Sequence, residues 1–375
     1  MFEQGAILKE KYGKENVFDF SIGNPYMDPP EVFQKALIEI SNDQSRFIHS
    51  YMPNTGYPHV RKAVSEYISG EHDVEITENE VIMTCGAAGA LNVIFKALLD
   101  PDDEVICPAP YFVEYSFYVD NHGGKLKTAF TNNDFSLDIK AIESEITEKT
   151  KAVLINSPNN PTGVVYSQEN INELSLLLQE YSKKLNKIIY LISDEPYRKL
   201  VYDDIFVPSI LKGYNNSIIC TSYSKDISIP GERIGFLAVN SNAEYKDDLF
   251  NAMAITNRIL GFVNAPALMQ RIVPLIQGVC IDVSVYKRKR DLFYEGLTNC
   301  GYEIDKPAGA FYLFPKSPIA DDIKFVSDLQ EELILTVPGS GFGKPGYFRI
   351  TYCSDDEIII RSIKGFKKII EKYKK

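Results

Sequence analysis

The sequence predicts an α/β protein with a three-layer large domain, built on a mostly parallel sheet, and a smaller α+β domain formed by both chain ends. Three observations support this prediction. The chain has 375 residues, more than the roughly 100–200 residues of one ordinary domain. Short apolar runs alternate with longer helical patterns through most of it, and this alternation is lost near residue 286. We expect an N-terminal arm and part of the small domain at 1–45, the large domain at 46–285 and the small C-terminal domain at 286–375.

Five apolar runs predict the parallel sheet. Strands that are apolar throughout are buried on both faces, as in a parallel sheet that is covered by helices. The runs are Glu80–Thr84, Glu104–Cys107, Ala152–Ile155, Ile188–Ile192 and Ser217–Cys220. The first run leads into Ala90–Leu99, where apolar residues recur at helical spacing. Each run ends in a polar or glycine-rich segment, and ligands of such sheets bind at the carboxyl ends of the strands. We therefore expect these segments to line one crevice.

The remainder of the chain predicts the second domain. Phe236–Val239 fits one more strand, and Leu268–Arg290 fits a long helix. Beyond it, Ala310–Phe314, Leu333–Thr336 and Tyr347–Cys353 fit strands that are mixed with helices. This order is typical of an α+β arrangement.

Composition excludes several classes of function. Hydrophobic residues make up 45% of the chain, as in a globular protein, and the net charge of −11 argues against a nucleic-acid partner. No run approaches the ~18 apolar residues of a membrane span, and no basic leader precedes an apolar block, so we expect neither a membrane segment nor a secretory signal. Six dispersed cysteines and four histidines without metal-ligand spacing predict a reduced, cytoplasmic protein with no metal.

Lys225 follows the last of the five runs, where a lysine is ordinarily a solvated side chain. Its companions favour a chemical role. Asp194 ends the preceding run, Asn160 lies in the turn after the run before that, and Gly86–Gly89 opens a helix. A lysine that forms an imine needs a desolvated amine, a pyridinium ring needs a carboxylate at its nitrogen, and a phosphate needs free amides at a helix start. All three are predicted on one face of the sheet.

The chain resembles the class I/II aminotransferases of the fold-type I pyridoxal-phosphate enzymes, with an aspartate-aminotransferase-like pattern from Ser21 to Thr351. The strongest motifs are Asn159–Gly163 (NNPTG), Ser193–Tyr197 (SDEPY), Ser222–Lys225 (SYSK) and Gly231–Gly235 (GERIG). The resemblance implies pyridoxal 5′-phosphate as the cofactor. It also implies ping-pong transfer of an amino group from an L-amino acid, with aspartate as the first choice, to a 2-oxo acid such as 2-oxoglutarate, through a Lys225 aldimine.

The resemblance assigns the catalytic residues. Lys225 would carry the cofactor and move a proton between the substrate Cα and the cofactor. Asp194 would pair with the ring nitrogen, although an aspartate after a strand is also a common helix N-cap. Tyr197 and Asn160 would hydrogen-bond the ring oxygen.

The phosphate would be held by a hydroxyl, a guanidinium group and helix-start amides. These residues are Ser222, Arg233, Gly86, Ala87 and Ala88. Some family members have a hydroxyl where this chain has Ala87 and Ala88, so backbone amides and the helix dipole would carry more of the contact. A planar guanidinium group suits a phosphate dianion better than a lysine does.

Two aromatic residues have assignments with competing alternatives. Phe112 would stack on the ring, but an aromatic residue there is more often part of the core, and Tyr111 competes for the role. Tyr51 matches the family tyrosine that reaches the phosphate of the neighbouring subunit, which would make the protein a homodimer with shared sites. A surface tyrosine beside a turn is the plain alternative.

Substrate binding is assigned to Arg349, Gly23 and Asn160. An arginine in the apolar strand Tyr347–Cys353 is costly to bury unless a carboxylate meets it, so Arg349 would hold the substrate α-carboxylate, unless it forms an internal ion pair. Gly23 would present a backbone amide to the same carboxylate. Arg258 is a weak candidate for a second carboxylate.

Two other functions remain open from sequence alone. A C–S β-lyase would use the same fold, cofactor and residues, because only the fate of the shared intermediate differs. A transcriptional regulator would carry a DNA-binding segment before the aminotransferase-like region. Only about twenty residues precede Ser21, which we expect to be too few for a helix-turn-helix domain.

Overall fold

The computed structural model describes residues 2–373. The helices are α1 (Phe2–Tyr12), α2 (Glu31–Ser41), α3 (Pro58–His72), α4 (Gly86–Leu98), α5 (Glu114–Asp120), α6 (Ile139–Glu145), α7 (Gln168–Leu185), α8 (Ile210–Gly213), α9 (Lys246–Ile259), α10 (Ala267–Ile276), α11 (Val283–Cys300), α12 (Asp322–Leu329) and α13 (Asp356–Tyr373). The strands are β1 (Phe18–Asp19), β2 (Val81–Thr84), β3 (Glu104–Ala109), β4 (Lys125–Phe130), β5 (Thr150–Asn156), β6 (Tyr190–Asp194), β7 (Ser217–Ser222), β8 (Gly235–Val239), β9 (Tyr312–Leu313), β10 (Ile334–Leu335), β11 (Val337–Pro338) and β12 (Phe348–Thr351).

Seven strands form the central sheet, in the order β2-β8-β7-β6-β5-β3-β4. Strands β3 to β7 are parallel to one another, whereas β8 is antiparallel to both β2 and β7. The predicted mostly parallel sheet is therefore confirmed. The sequence prediction omitted β4, a half-exposed edge strand that carries lysines at Lys125 and Lys127, as edge strands commonly do.

Helices cover both faces of this sheet. Along β5, Val153 and Ile155 point into one apolar core with α3, α7 and α10, while Ala152 and Leu154 point into the other with α4, α5 and α9. Successive side chains of a strand point to opposite faces, so a strand between two cores must be apolar at every position. The continuous apolar runs of the sequence have this cause, and the three-layer architecture is confirmed.

A separate apolar core lies around the antiparallel sheet β11-β12-β9. It is rich in aromatic side chains, and Phe20 from the start of the chain packs edge-to-face on Phe293 of α11 with ring centroids 4.9 Å apart. Strand β1 pairs with β10, which ties the two chain ends together. Helix α2 instead packs on α10 and adds Phe33 and Ala36 to a core of the large sheet. The domain boundaries at 45 and 285 stay a prediction.

The prediction of one long helix at 268–290 is wrong in one respect, because the structure has two helices there, α10 and α11. Gln277 leaves helical geometry with a ψ of 136°, and Gly278 then adopts a φ of +79°, which favours glycine. Asp282 then caps α11 by accepting a hydrogen bond from the backbone N–H of Ser284. Within residues 2–373, we find no helix with both the length and the apolar character needed to cross a bilayer.

Candidate active site

A cavity of about 490 Å³ opens where β5, β6 and β7 end. The sheet register places the ends of these strands side by side, since Asn156 pairs with Asp194 and Asp194 pairs with Cys220. The cavity is lined by most of the predicted site residues: Gly23, Ala87, Ala88, Phe112, Asn160, Asp194, Tyr197, Ser222, Lys225, Arg233 and Arg349. The carboxyl edge of the sheet thus collects residues from distant parts of the chain.

Lys225 projects its amine into this cavity. Its Nζ donates a hydrogen bond to the carbonyl oxygen of Gly23 at 2.9 Å. Burial lowers the pKa of Lys225 to about 8, and the positive charges of Arg349 and Arg233 act in the same direction. A larger fraction of the amine is therefore neutral near physiological pH than in an exposed lysine, and the neutral form is the nucleophile and the base.

Asp194 lies at the floor of the cavity and is only 6% exposed. Its Oδ2 accepts a hydrogen bond from the Tyr115 hydroxyl at 2.7 Å, and burial raises its pKa to about 7. Among the described residues no cation forms an ion pair with this carboxylate, so a positively charged ligand group would relieve its desolvation. A turn follows β6, so Asp194 does not cap a helix here. Sequence reasoning missed Tyr115, which stands three residues after Phe112.

Tyr197 and Tyr312 form one wall of the cavity. Their hydroxyl oxygens are 3.0 Å apart, and Tyr312 was not predicted from the sequence. Tyr312 also explains why residue 23 is glycine, because a Cβ on Gly23 would lie 2.0 Å from the Tyr312 hydroxyl. Asn160 is oriented by Asn156, whose Oδ1 accepts a hydrogen bond from the Asn160 backbone N–H at 2.7 Å.

The start of α4 offers a site for an anion. Its N-cap residue, Cys85, makes no side-chain capping hydrogen bond, which leaves helix-start amides free. Gly86 has a φ of +72°, and a Cβ there would lie 2.9 Å from Nη2 of Arg233. Arg233 is anchored through Nη1, which donates to the carbonyl oxygen of Pro230 at 2.8 Å, and Ser222 lines the same part of the cavity. Amides, a hydroxyl and a guanidinium group at one helix start fit a phosphate.

Arg349 is 8% exposed on β12 and is held by neutral partners. Its Nη1 donates to Oδ1 of Asn160 at 3.0 Å, and its Nη2 donates to the carbonyl oxygen of Ser21 at 2.8 Å. Its Nε is buried without a partner, and no carboxylate of residues 5–373 lies within 4.0 Å. The alternative of an internal ion pair is therefore not what the structure contains, and the guanidinium group is available to an external carboxylate.

Two predicted residues lie elsewhere. Tyr51 is 91% exposed and borders a separate surface hollow with Phe262. Arg258 is exposed near the end of α9 and does not line the cavity. Of the two competing aromatic residues, only Phe112 lines the cavity, and its ring packs edge-to-face on Tyr115 at 5.5 Å. Across the part of the chain that the structure describes, no group of three or more His, Cys, Asp or Glu side chains is arranged for a metal ion.

Comparison with known proteins places the chain in a family. The family model "Aminotransferase class I and II" matches residues 15–361. The probable aspartate aminotransferase of Methanocaldococcus jannaschii is 32% identical over 362 residues, which cover 94% of this chain and 93% of that protein. An amino transferase from Eubacterium rectale has a TM-score of 0.97 at 43% identity and covers all of this chain and 95% of that one. The aspartate aminotransferase of Thermotoga maritima has a TM-score of 0.86 at 30% identity, with 99% and 96% covered.

The residues present fit the cofactor of this family. A pyridine nitrogen needs a buried carboxylate, which Asp194 provides, and an aldehyde carbon needs a desolvated amine, which Lys225 provides. The uncapped start of α4 beside Arg233 fits the phosphate. The chain therefore belongs to the class I and II aminotransferase family, and it is a pyridoxal-phosphate-dependent aminotransferase.

Proposed function

We propose that the chain transfers the amino group of an L-amino acid, with L-aspartate as the first donor to test, to a 2-oxo acid such as 2-oxoglutarate. The observation that carries the proposal is one cavity that combines the buried amine of Lys225, the buried carboxylate of Asp194 and the unpaired Nε of Arg349. Aspartate is preferred as the donor because relatives from Thermotoga maritima, Bacillus subtilis and Pyrococcus abyssi are named aspartate aminotransferase, and the one from Methanocaldococcus jannaschii is named probable aspartate aminotransferase. The relatives are named as aminotransferases, which does not favour the C–S lyase.

The cofactor would be held at its ring nitrogen, its ring oxygen, its ring face and its phosphate. Asp194 would face the ring nitrogen, Tyr197 and Asn160 the ring oxygen, and Phe112 the ring face. The phosphate would be held by Ser222, Arg233 and the amides of Gly86, Ala87 and Ala88. When bound, the cofactor supplies an electron-withdrawing ring that delocalises the electron pair released from the substrate Cα.

Two residues would then act on the substrate. Arg349 would hold the α-carboxylate through its guanidinium group, and the amide of Gly23 would support the same carboxylate, which fixes the direction of the Cα–H bond. The neutral amine of Lys225 would accept the Cα proton at Nζ and return a proton to complete the transfer. Its lowered pKa suits both steps near neutral pH, because the amine is present in both protonation states.

A donor and acceptor panel on purified protein loaded with pyridoxal phosphate tests this function. We expect glutamate to accumulate when an L-amino acid and 2-oxoglutarate are both present, and initial-rate plots to be parallel, as a ping-pong reaction requires. When an amino acid is supplied without a 2-oxo acid acceptor, the cofactor absorbance should change with a stoichiometry of one amino acid consumed per active site. If no common amino acid changes that absorbance, the proposal is wrong. Release of pyruvate, ammonia and homocysteine from cystathionine, or of pyruvate, ammonia and sulfide from cysteine, without any acceptor would indicate the C–S lyase instead.

We also infer a homodimer with shared active sites. Tyr51 is almost fully exposed and outside the cavity of its own chain, and Ile255 and Ile259 expose apolar side chains on α9. This surface suits a second copy of the chain that brings Tyr51 to the neighbouring phosphate. We expect sedimentation equilibrium to give twice the chain mass. A fully active monomer would contradict the proposal.

The domain division at 1–45, 46–285 and 286–375 and a cytoplasmic location are kept as proposals. The location is supported by the six cysteines, which are dispersed along the sequence without a Cys-x-x-Cys pair.

A further inference from the structure

The charges that line the cavity are not all used by the proposed reaction. Its cations are Lys225, Arg233 and Arg349, and the proposed function assigns them to proton transfer, the phosphate and the α-carboxylate. Its acids are Asp194 and Glu114, and Asp194 is assigned to the ring nitrogen. Glu114 is therefore the one charged lining residue of the described chain that still lacks a role.

Glu114 is placed to meet a ligand. It is the first residue of α5, and it follows Phe112 by two positions. Its Oε2 is buried and has no hydrogen-bond partner, and no cation of residues 5–373 forms an ion pair with it within 4.0 Å. A buried acceptor without a partner is costly, and a ligand group that donates a hydrogen bond to it would remove this cost. The cavity thus holds one unpaired acceptor at Glu114 and one unpaired donor at Arg349 Nε.

The donor on Arg349 matches the α-carboxylate of an amino acid, and the acceptor on Glu114 is placed to meet the end of its side chain. With the α-carboxylate on Arg349 and the amino group near Lys225, the side chain is the part of the substrate that remains to contact Glu114. No cation of the described lining that one chain supplies remains for a second carboxylate, since Arg258 lies outside the cavity. The charge pattern favours a side chain that ends in a hydrogen-bond donor over one that ends in an anion.

We propose that Glu114 is a specificity-determining residue, which accepts a hydrogen bond from the end of the substrate side chain and discriminates against a second carboxylate. The inference rests on the proposed function, because it assumes that Arg349 holds the α-carboxylate. The two dicarboxylic substrates of the proposed reaction, aspartate and 2-oxoglutarate, are then admitted with uptake of one proton by Glu114, which allows the acid to donate to the second carboxylate. The discrimination therefore grows as the pH rises.

The surroundings of Glu114 support this pH dependence. Burial raises the pKa of Glu114, and its own backbone N–H and the positive charge of Arg349 oppose this effect only in part. The other titratable groups that interact with it are Tyr118 on α5 and Tyr312 on β9, and burial raises the pKa of both to about 12. Asp194 and Lys225 titrate in the same cavity near neutral pH, so the effect of Glu114 must be isolated by a variant.

The test measures binding of two unreactive probes to the pyridoxal-phosphate-loaded enzyme: succinate and its monoamide, succinamate. Isothermal titration calorimetry at alkaline pH compares wild type, Glu114→Gln and Glu31→Gln. Glu31 is a matched control, because it is the first residue of α2, is exposed and pairs with Lys35 at 2.8 Å. We expect wild type and Glu31→Gln to bind succinamate about 10-fold more tightly than succinate, and Glu114→Gln to reduce this ratio to about 2-fold or less.

Two results would overturn the inference: a wild-type enzyme without preference for succinamate, or a Glu114→Gln variant that keeps the wild-type ratio. If Glu114→Gln does not fold, as judged by circular dichroism, Glu114→Met supplies a neutral side chain of similar length for the same comparison. A wild-type enzyme that transaminates no amino acid, but whose binding ratio responds to Glu114→Gln, would contradict the proposed function and support the role of Glu114. If the wild type transaminates but Glu114→Gln leaves the ratio of succinamate to succinate binding unchanged, the inference about Glu114 is overturned and the proposed function stands.

Discussion

Lys225→Ala is expected to lower kcat/KM for transamination by about 10⁴-fold or more, because one side chain supplies both the nucleophilic amine and the proton carrier. The structure offers no substitute within reach, since Lys225 is the only lysine that lines the described cavity. The loss should be much larger than the effect on folding, because the amine makes a single hydrogen bond to Gly23. Steady-state kinetics with the preferred donor and 2-oxoglutarate measure the effect.

The attachment site is tested separately from the rate. Borohydride reduction of wild-type enzyme followed by peptide mass spectrometry should locate the reduced cofactor on Lys225, and Lys225→Ala should retain none after dialysis. Lys140→Ala is the control, because Lys140 is an exposed lysine on α6 outside the cavity. Cofactor fixed to another lysine in the wild type, or near-normal turnover by Lys225→Ala, would refute the assignment.

The cofactor half of the site could be predicted because strand ends determine it. Asp194 is the last residue of β6, and the pairing of parallel strands aligns it with Asn156 and Cys220. A parallel sheet brings such positions to one edge whatever the surrounding loops do. Residue type and position at or just after a strand end were therefore sufficient to predict that Lys225, Asp194 and Asn160 lie in one cavity, although their roles stay predictions.

The partners of these residues could not be predicted, because they depend on packing between distant segments. The Tyr115 hydroxyl donates a hydrogen bond to Asp194, which is 79 residues away in sequence. The Tyr312 hydroxyl is hydrogen-bonded to the Tyr197 hydroxyl, which is 115 residues away. Neither tyrosine stands in a motif that separates it from the other aromatic residues of the chain. Glu114 was missed for a similar reason, since an acid in the first turn of a helix is ordinarily a favourable solvated charge.

The packing of α2 shows the same limit. Helix α2 buries Phe33 and Ala36 while its other face is mostly polar, but such an amphipathic pattern does not say which core the apolar face joins. The prediction assigns residues 1–45 to an N-terminal arm and part of the small domain. In the structure, Phe33 packs with the core around α10 and Phe20 packs with the aromatic core. The chain therefore passes from one core to the other between these residues, which lie on either side of Gly23.

Asp194→Asn is expected to lower kcat by about 10²–10³-fold or more, because an amide cannot keep a positive charge on the ring nitrogen. The same change is expected to stabilise the cofactor-free protein at alkaline pH. Burial raises the pKa of Asp194 from 3.8 to about 7, so the folded protein binds this proton more tightly than the unfolded chain does. Asp194→Asn would thus lower the activity while it raises the stability of the cofactor-free protein.

The sign of the pH dependence follows from this shift. Below about pH 4 Asp194 is protonated in both states, and burial of its charge costs nothing. As the pH rises from about 4 to about 7, the unfolded chain releases this proton while the folded protein keeps it, so the free energy of unfolding falls by about 4 kcal/mol in the limit. Asparagine does not titrate, so the stability advantage of Asp194→Asn should grow between about pH 4 and about pH 7 and then level off.

Urea denaturation of the cofactor-free proteins across this pH range measures the effect. Asp138→Asn is the control, because Asp138 caps α6 outside the cavity and asparagine caps equally well. Pyridoxal phosphate should then reverse the order at alkaline pH, because its ring nitrogen supplies the positive charge that the Asp194 carboxylate lacks. If the cofactor stabilises Asp194→Asn as much as wild type, the partner of this carboxylate is not the ring nitrogen, since a neutral amide would then serve it equally well.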